Sequence, residues 1–66
     1  MLFAEWSGNM VKVYDEKRSL QRTYHVEDSV VSVQCYGEKG DQNARIAITM
    51  ANGRTRLYDG NGSLIR

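Results

Sequence analysis

The chain has 66 residues, which is enough for one domain and too few for a second. Nine basic and eight acidic side chains give a formal net charge of +1, so the overall charge does not predict an anionic partner. A single cysteine excludes an internal disulfide, and one histidine with one cysteine cannot supply the four ligands of a structural zinc site.

Short β-strands are predicted along the whole chain. They span residues 2–6, 11–14, 20–26, 30–36, 45–50 and 55–58, which are rich in β-branched or aromatic side chains. Turns containing glycine or asparagine separate several of them, and no stretch shows a sustained apolar period of about 3.6 residues. The predicted fold class is therefore all-β, an antiparallel meander in a single domain, residues 1–66.

The clearest alternation of apolar and polar side chains lies in residues 45–50. Ile46, Ile48 and Met50 share the face that is predicted to be buried. The dipeptide Asn52-Gly53 follows, and it predicts a hairpin with a type I′ turn, which needs a positive φ at both central residues.

The strand predicted at residues 30–36 contains the only cysteine. Cys35 alternates with Val31 and Val33, so all three are predicted to share a buried face. Cys35 is accordingly interpreted as a small core residue and not as a reactive thiol.

The sequence also matches itself at a shift of 44 residues. Tyr14-Asp15 corresponds to Tyr58-Asp59, and residues 19–22 correspond to residues 63–66. Further upstream, residues 2–4 are expected to be the counterparts of residues 46–48 in the repeat. A period of about 40–45 residues that contains four strands is typical of β-propeller blades.

On these residues the chain resembles the WD-repeat β-propeller family. Residues 25–33 are similar to the histidine-led entry to the innermost strand of a blade, and both Tyr-Asp pairs stand where the family has Trp-Asp. The resemblance implies that residues 1–24 form the last three strands of one blade and residues 25–66 nearly all of the next. It also implies a structural hydrogen-bond network, whose members here are His25, Thr49, Asn52 and Tyr58.

A partner for this chain is expected on two grounds. A domain of this size hides only about 60% of the surface that its unfolded chain exposes, so its stability on its own is marginal. A propeller ring also needs at least four blades, and the resemblance covers fewer than two. The missing blades are expected to come from a homo-oligomer or from a longer protein.

The sequence contains no catalytic constellation. His25 is the only imidazole, and no nucleophile or orienting carboxylate is placed to form a triad with it. We therefore predict that the protein is not an enzyme and has no catalytic residue, cofactor or metal ligand.

By analogy with propeller blades, the predicted function is a non-enzymatic protein–protein interaction or scaffold module. Trp6, Arg54 and Arg56 are the candidate interface residues. Trp6 is interpreted either as an interface anchor, because tryptophan is enriched in interface hot spots, or as part of the core beside an edge strand. The alternative is a small closed β-barrel that binds single-stranded nucleic acid, with Arg54 and Arg56 on phosphates and Tyr58 stacking on a base.

The sequence also bears on location. No apolar run approaches the roughly 18 residues of a membrane span, and the N-terminus lacks the pattern of a signal peptide. A lone thiol suits a reducing compartment. The expected location is the cytoplasm, with no membrane partner.

Overall fold

Six antiparallel strands make up the regular structure of the computed structural model, which describes residues 1–66. They are β1 (Phe3–Ser7), β2 (Met10–Tyr14), β3 (Leu20–His25), β4 (Val30–Tyr36), β5 (Arg45–Met50) and β6 (Thr55–Asp59). Strands β1-β2-β3 form sheet A and strands β4-β5-β6 form sheet B, each in chain order. The predicted all-β meander is confirmed. The alternative of a small closed barrel is wrong, because the strands form two separate open sheets.

The two sheets bury one apolar face each, and these faces form a common core. Strand β2 contributes Val11 and Val13, and strand β5 contributes Ile46, Ile48 and Met50, as the alternation in β5 predicts. The sheets also meet through aromatic rings: Tyr24 of β3 packs on Tyr58 of β6 with ring centroids 4.4 Å apart.

Strand β4 departs from the predicted alternation. Val31 is 55% exposed and does not share a buried face with Val33 and Cys35. A β-bulge between Val30 and Ser32 is the reason, because the extra residue changes which side chains point inward. Val30 packs against the core instead, together with Val33 and Cys35.

Strands β5 and β6 form the predicted hairpin at Asn52-Gly53, but the type I′ turn is wrong. Gly53 has a φ of 88°, whereas Asn52 has no positive φ. The Met50 N–H donates to the Arg54 carbonyl at 2.9 Å and the Gly53 N–H to the Met50 carbonyl at 3.0 Å. These bonds close a three-residue loop with glycine in the left-handed region.

The two Tyr-Asp units are built alike. In each, the aspartate Oδ1 accepts the backbone N–H groups two and four residues further on, at 2.9 and 3.0 Å from both Asp15 and Asp59. Each aspartate N–H also donates to the carbonyl of the serine four residues on. The 44-residue repeat is therefore present in the hydrogen bonds as well as in the sequence.

Upstream of the Tyr-Asp units the repeat has a different shift. Phe3 pairs with Tyr14 as Ile46 pairs with Tyr58, so the counterpart of Phe3 lies 43 residues away. The difference arises because the turn between β1 and β2 is one residue shorter than the turn between β5 and β6. The expected match of residues 2–4 with 46–48 is thus off by one, and residues 3–5 are the true counterparts.

The first prediction concerns the core. Ile48 is fully buried in the central strand of sheet B, so Ile48→Ala removes methyl groups from a site with no access to water. We expect it to lower the free energy of unfolding by about 2–5 kcal/mol, measured by urea denaturation. Val31→Ala, at an exposed position, is the control and should change it little. Equal unfolding midpoints for Ile48→Ala and the unchanged protein would show that this face is not core.

The second prediction compares counterpart positions in the two Tyr-Asp turns. Arg18 has a φ of 64°, and its counterpart Gly62 has a φ of 86°. A left-handed backbone costs a residue with a Cβ roughly 1–2 kcal/mol, so Arg18→Gly should raise the free energy of unfolding by up to about 1 kcal/mol.

The reciprocal change is expected to act in the opposite direction. Gly62→Ala should lower the free energy of unfolding. The added Cβ disfavours the left-handed backbone at this position and also meets the Arg22 side chain. Both changes are measured by urea denaturation. A loss of stability in Arg18→Gly would contradict the equivalence of the two turns.

Candidate functional site

Three connections meet at one end of the two sheets. They are the turn 8–9, the connection 26–29 and the turn 51–54, and we call this end the upper rim. Two hydrogen bonds join the first two connections: the Val26 N–H donates to the Asn9 carbonyl, and the Asn9 side-chain amide donates to the Val26 carbonyl, both at 3.0 Å. The Ala51 N–H donates to the Ser29 carbonyl at 2.8 Å and joins the second connection to the third. The Val30 N–H, at the start of β4, donates to the Gly8 carbonyl at 2.8 Å. The backbone of the upper rim is therefore fixed by both sheets at once.

Most of the predicted site residues lie at or beside the upper rim. His25 ends β3, Asn52 and Arg54 lie in the turn 51–54, and all three are exposed. Trp6 lies on the edge strand β1, two residues before Gly8, and its side chain is 42% exposed. The structure thus brings the candidate interface residues Trp6 and Arg54 to the same end of the molecule.

No hydrogen bond joins His25, Thr49, Asn52 and Tyr58, the four residues of the expected network. The Asn52 Oδ1 accepts the Arg54 N–H inside its own turn, at 2.9 Å. The Thr49 hydroxyl lies 3.2 Å from the hydroxyl of Thr55. Each of these polar groups has a local partner, while the ring of Tyr58 packs on sheet A.

Arg56 reaches from β6 toward the upper rim and pairs with Glu27. Its Nε donates to Glu27 Oε1 at 3.2 Å, and its Nη2 donates to Oε2. The guanidinium lowers the pKa of Glu27, because it stabilises the carboxylate. Glu27 is not predicted from the sequence. It lies 29 positions from Arg56, and no pattern in the residues around either one indicates that they pair.

Two of the three residues of the nucleic-acid alternative have partners within the protein. Arg56 is paired with Glu27, and the ring of Tyr58 packs against Tyr24. Arg54 lies in the turn before β6, and its charge adds to that of Arg56 in lowering the pKa of Glu27. Of the three, only the Arg54 side chain forms no hydrogen bond, salt bridge or aromatic contact.

The opposite end of the sheets, which we call the lower rim, comprises residues 15–19, 37–44 and 60–63. Asp15 is 3% exposed there, accepts a hydrogen bond from the Gln21 amide at 3.1 Å and lies 3.5 Å from Lys39 Nζ. The Ser19 N–H lowers the pKa of Asp15, and the corresponding Ser63 N–H lowers the pKa of Asp59. These carboxylates stabilise turns and face their own backbone.

A pocket of about 110 Å³ opens between the sheets beside Arg22, Asp59 and Gly60 at the lower rim. It is smaller than the roughly 300–1,000 Å³ of typical small-molecule sites. No group of three or more histidine, cysteine, aspartate or glutamate side chains is placed to hold a metal ion. Burial raises the pKa of the Cys35 thiol, which makes it less reactive.

Comparison with known proteins adds no assignment: no family model matches the chain, and neither a curated protein nor a solved structure matches it. None of the chain forms a helix with the length and hydropathy needed to cross a membrane.

The third prediction follows from the two lowered aspartate pKa values. A carboxylate whose pKa is lower in the folded state stabilises the fold above its unfolded pKa of about 3.9, and that contribution is lost as the pH falls through the folded pKa. The free energy of unfolding should therefore decrease steadily between about pH 5 and pH 2.

Asp15→Asn and Asp59→Asn should each flatten this decrease, because an amide does not titrate. Asp15→Asn should also be the less stable variant at neutral pH, since Asp15 is more buried and lies close to Lys39. Asp28→Asn is the control, because the Asp28 carboxylate accepts no hydrogen bond. The free energy of unfolding of the unchanged protein and the three variants is measured by urea titration at a series of pH values. If both turn variants lost stability with falling pH as steeply as the unchanged protein, the lowered pKa values would be wrongly assigned to Asp15 and Asp59.

Proposed function

We propose that this chain is a non-enzymatic protein–protein interaction or scaffold module, built from WD-like blades, that binds a protein partner through the upper rim. The observation that carries the proposal is the set of hydrogen bonds that join the three connections of the upper rim. These bonds order the backbone next to the exposed residues Trp6 and Arg54.

Rigidity and composition both support binding at this surface. A surface that is already ordered loses little conformational entropy when a partner docks, so more of the contact energy appears as affinity. Tryptophan and arginine are the side chains most often found to dominate interface energetics. The Arg56–Glu27 pair joins β6 to the connection 26–29.

The repeat supports the scaffold part of the proposal. Two units with the same aspartate-led turn are stacked through their sheet faces, which is how blade-like repeats build a rigid body from small parts. Cytoplasm is the compartment we propose, since the half-buried lone thiol of Cys35 suits reducing conditions.

The fourth prediction tests the upper rim. Three baits are immobilised and compared: the unchanged protein, the double variant Trp6→Ala/Arg54→Ala and the matched lower-rim control Lys17→Ala/Gln42→Ala. Proteins that bind each bait are crosslinked to it and quantified. Loss of two hot-spot side chains should reduce capture of the partner at least about tenfold in the upper-rim variant, whereas the control should retain it.

Two outcomes would contradict this proposal. Equal recovery by all three baits would show that the upper rim does not bind the partner. Binding of a fluorescent single-stranded oligonucleotide that weakens with salt and with Arg54→Ala would support the nucleic-acid alternative instead.

A further inference from the structure

The repeat gives each sheet a front face and a back face. The front face of sheet B packs on sheet A and carries Ile46, Ile48, Arg56 and Tyr58. By strand pairing, the counterpart positions in sheet A are Phe3, Glu5, Lys12 and Tyr14. These side chains alternate with the buried Val11 and Val13, so the front face of sheet A points away from sheet B.

The back faces correspond in the same way. The back face of sheet A packs on sheet B and carries the paired residues Ala4 and Val13. Their counterparts in sheet B are the paired residues Ala47 and Leu57, which lie on the face turned away from sheet A. Within one chain, therefore, the back face of sheet A packs on the front face of sheet B. The front face of sheet A and the back face of sheet B remain uncovered.

We propose that a second copy of this chain docks the front face of its sheet A on the back face of sheet B. The contact repeats the relation that already joins the two sheets within one chain, except that sheet A has no counterpart of β4, the strand of sheet B that lies against β1. Because the two faces differ, the association is head-to-tail, and further copies extend it to a ring or a row.

The shape of the front face of sheet A fits this occupant. Phe3 is 51% exposed, and a depression of about 330 Å³ lies beside it, lined by Phe3, Glu5, Tyr14 and Arg18. A second depression of about 190 Å³ lies next to it, between Glu5 and Lys12. Side chains such as Leu57 on an opposing back face would enter these depressions, as the back-face residue Val13 enters the core within the chain.

The chemistry of the front face sets the strength of the contact. Glu5 occupies the position of the fully buried Ile48, which makes this face more polar than its counterpart. Lys12 lies directly across from Glu5, so the two charges are balanced within the face. We therefore expect weak, concentration-dependent association, and Glu5→Ile should tighten it about tenfold or more.

The fifth prediction compares two variants, each of which disables one of the two docking faces. Phe3→Asp disables the front and leaves the back intact, whereas Leu57→Asp disables the back and leaves the front intact. Each variant alone should be monomeric by sedimentation velocity at concentrations where the unchanged protein associates. An equimolar mixture should form a dimer that grows no further, because only one pair of intact faces remains.

Controls separate loss of the contact from loss of the fold. Circular dichroism and thermal unfolding check every variant, and Ala47→Lys replaces Leu57→Asp if the latter is unfolded. Val31→Asp places the same charge at the bulge of β4, a position outside the strand pairs of both faces, and should associate like the unchanged protein.

The outcomes also distinguish this proposal from the upper-rim function. An unchanged protein that stays monomeric at all concentrations, or folded variants whose mixture stays monomeric, would overturn head-to-tail docking and leave the upper rim untouched. Association that persists in Phe3→Asp alone would overturn it as well. Arg54→Ala should associate normally, and loss of association in that variant would place the contact at the upper rim.

Discussion

The packing of β2 on β5 is the constraint on which the rest of the structure depends. The apolar face of each sheet stabilises the fold only when another surface covers it and removes it from water. Here Val11 and Val13 of sheet A cover Ile46, Ile48 and Met50 of sheet B, and most of the fully buried side chains belong to these two strands. Both rims are held in place because this contact fixes the two sheets against each other.

The same contact explains why the connections converge. In a meander of antiparallel strands, alternate connections fall at the same end of the sheets, so every second loop is a neighbour of the others. Residues far apart in sequence, such as Asn9 and Val26 or Ser29 and Ala51, can then share backbone hydrogen bonds. The upper rim therefore results from the strand order, and its exposed side chains are held by a frame built from backbone groups.

Strand content and the buried face of β5 could be predicted because both depend on a local period of two residues. The bulge in β4 could not, since its neighbours Val30, Val31 and Ser32 carry no signal that separates a bulge from plain alternation. The type of turn at Asn52-Gly53 could not be predicted either, since Asn52 has no positive φ and its Oδ1 accepts the Arg54 N–H. The pairing of Arg56 with Glu27 depends on how two sheets meet, which no local pattern encodes.

The bulge between Val30 and Ser32 also affects how the open edge of sheet B could pair with another strand. β4 is the open edge of sheet B, and a regular edge would offer a continuous row of unpaired N–H and carbonyl groups to any extended strand nearby. The bulge interrupts that row and increases the local twist, so an incoming strand cannot keep its ladder in step along the whole of β4. The regular part of this edge is thereby shortened to residues 32–36, which disfavours growth of a cross-β stack past Val31, an apolar β-branched residue that is exposed there.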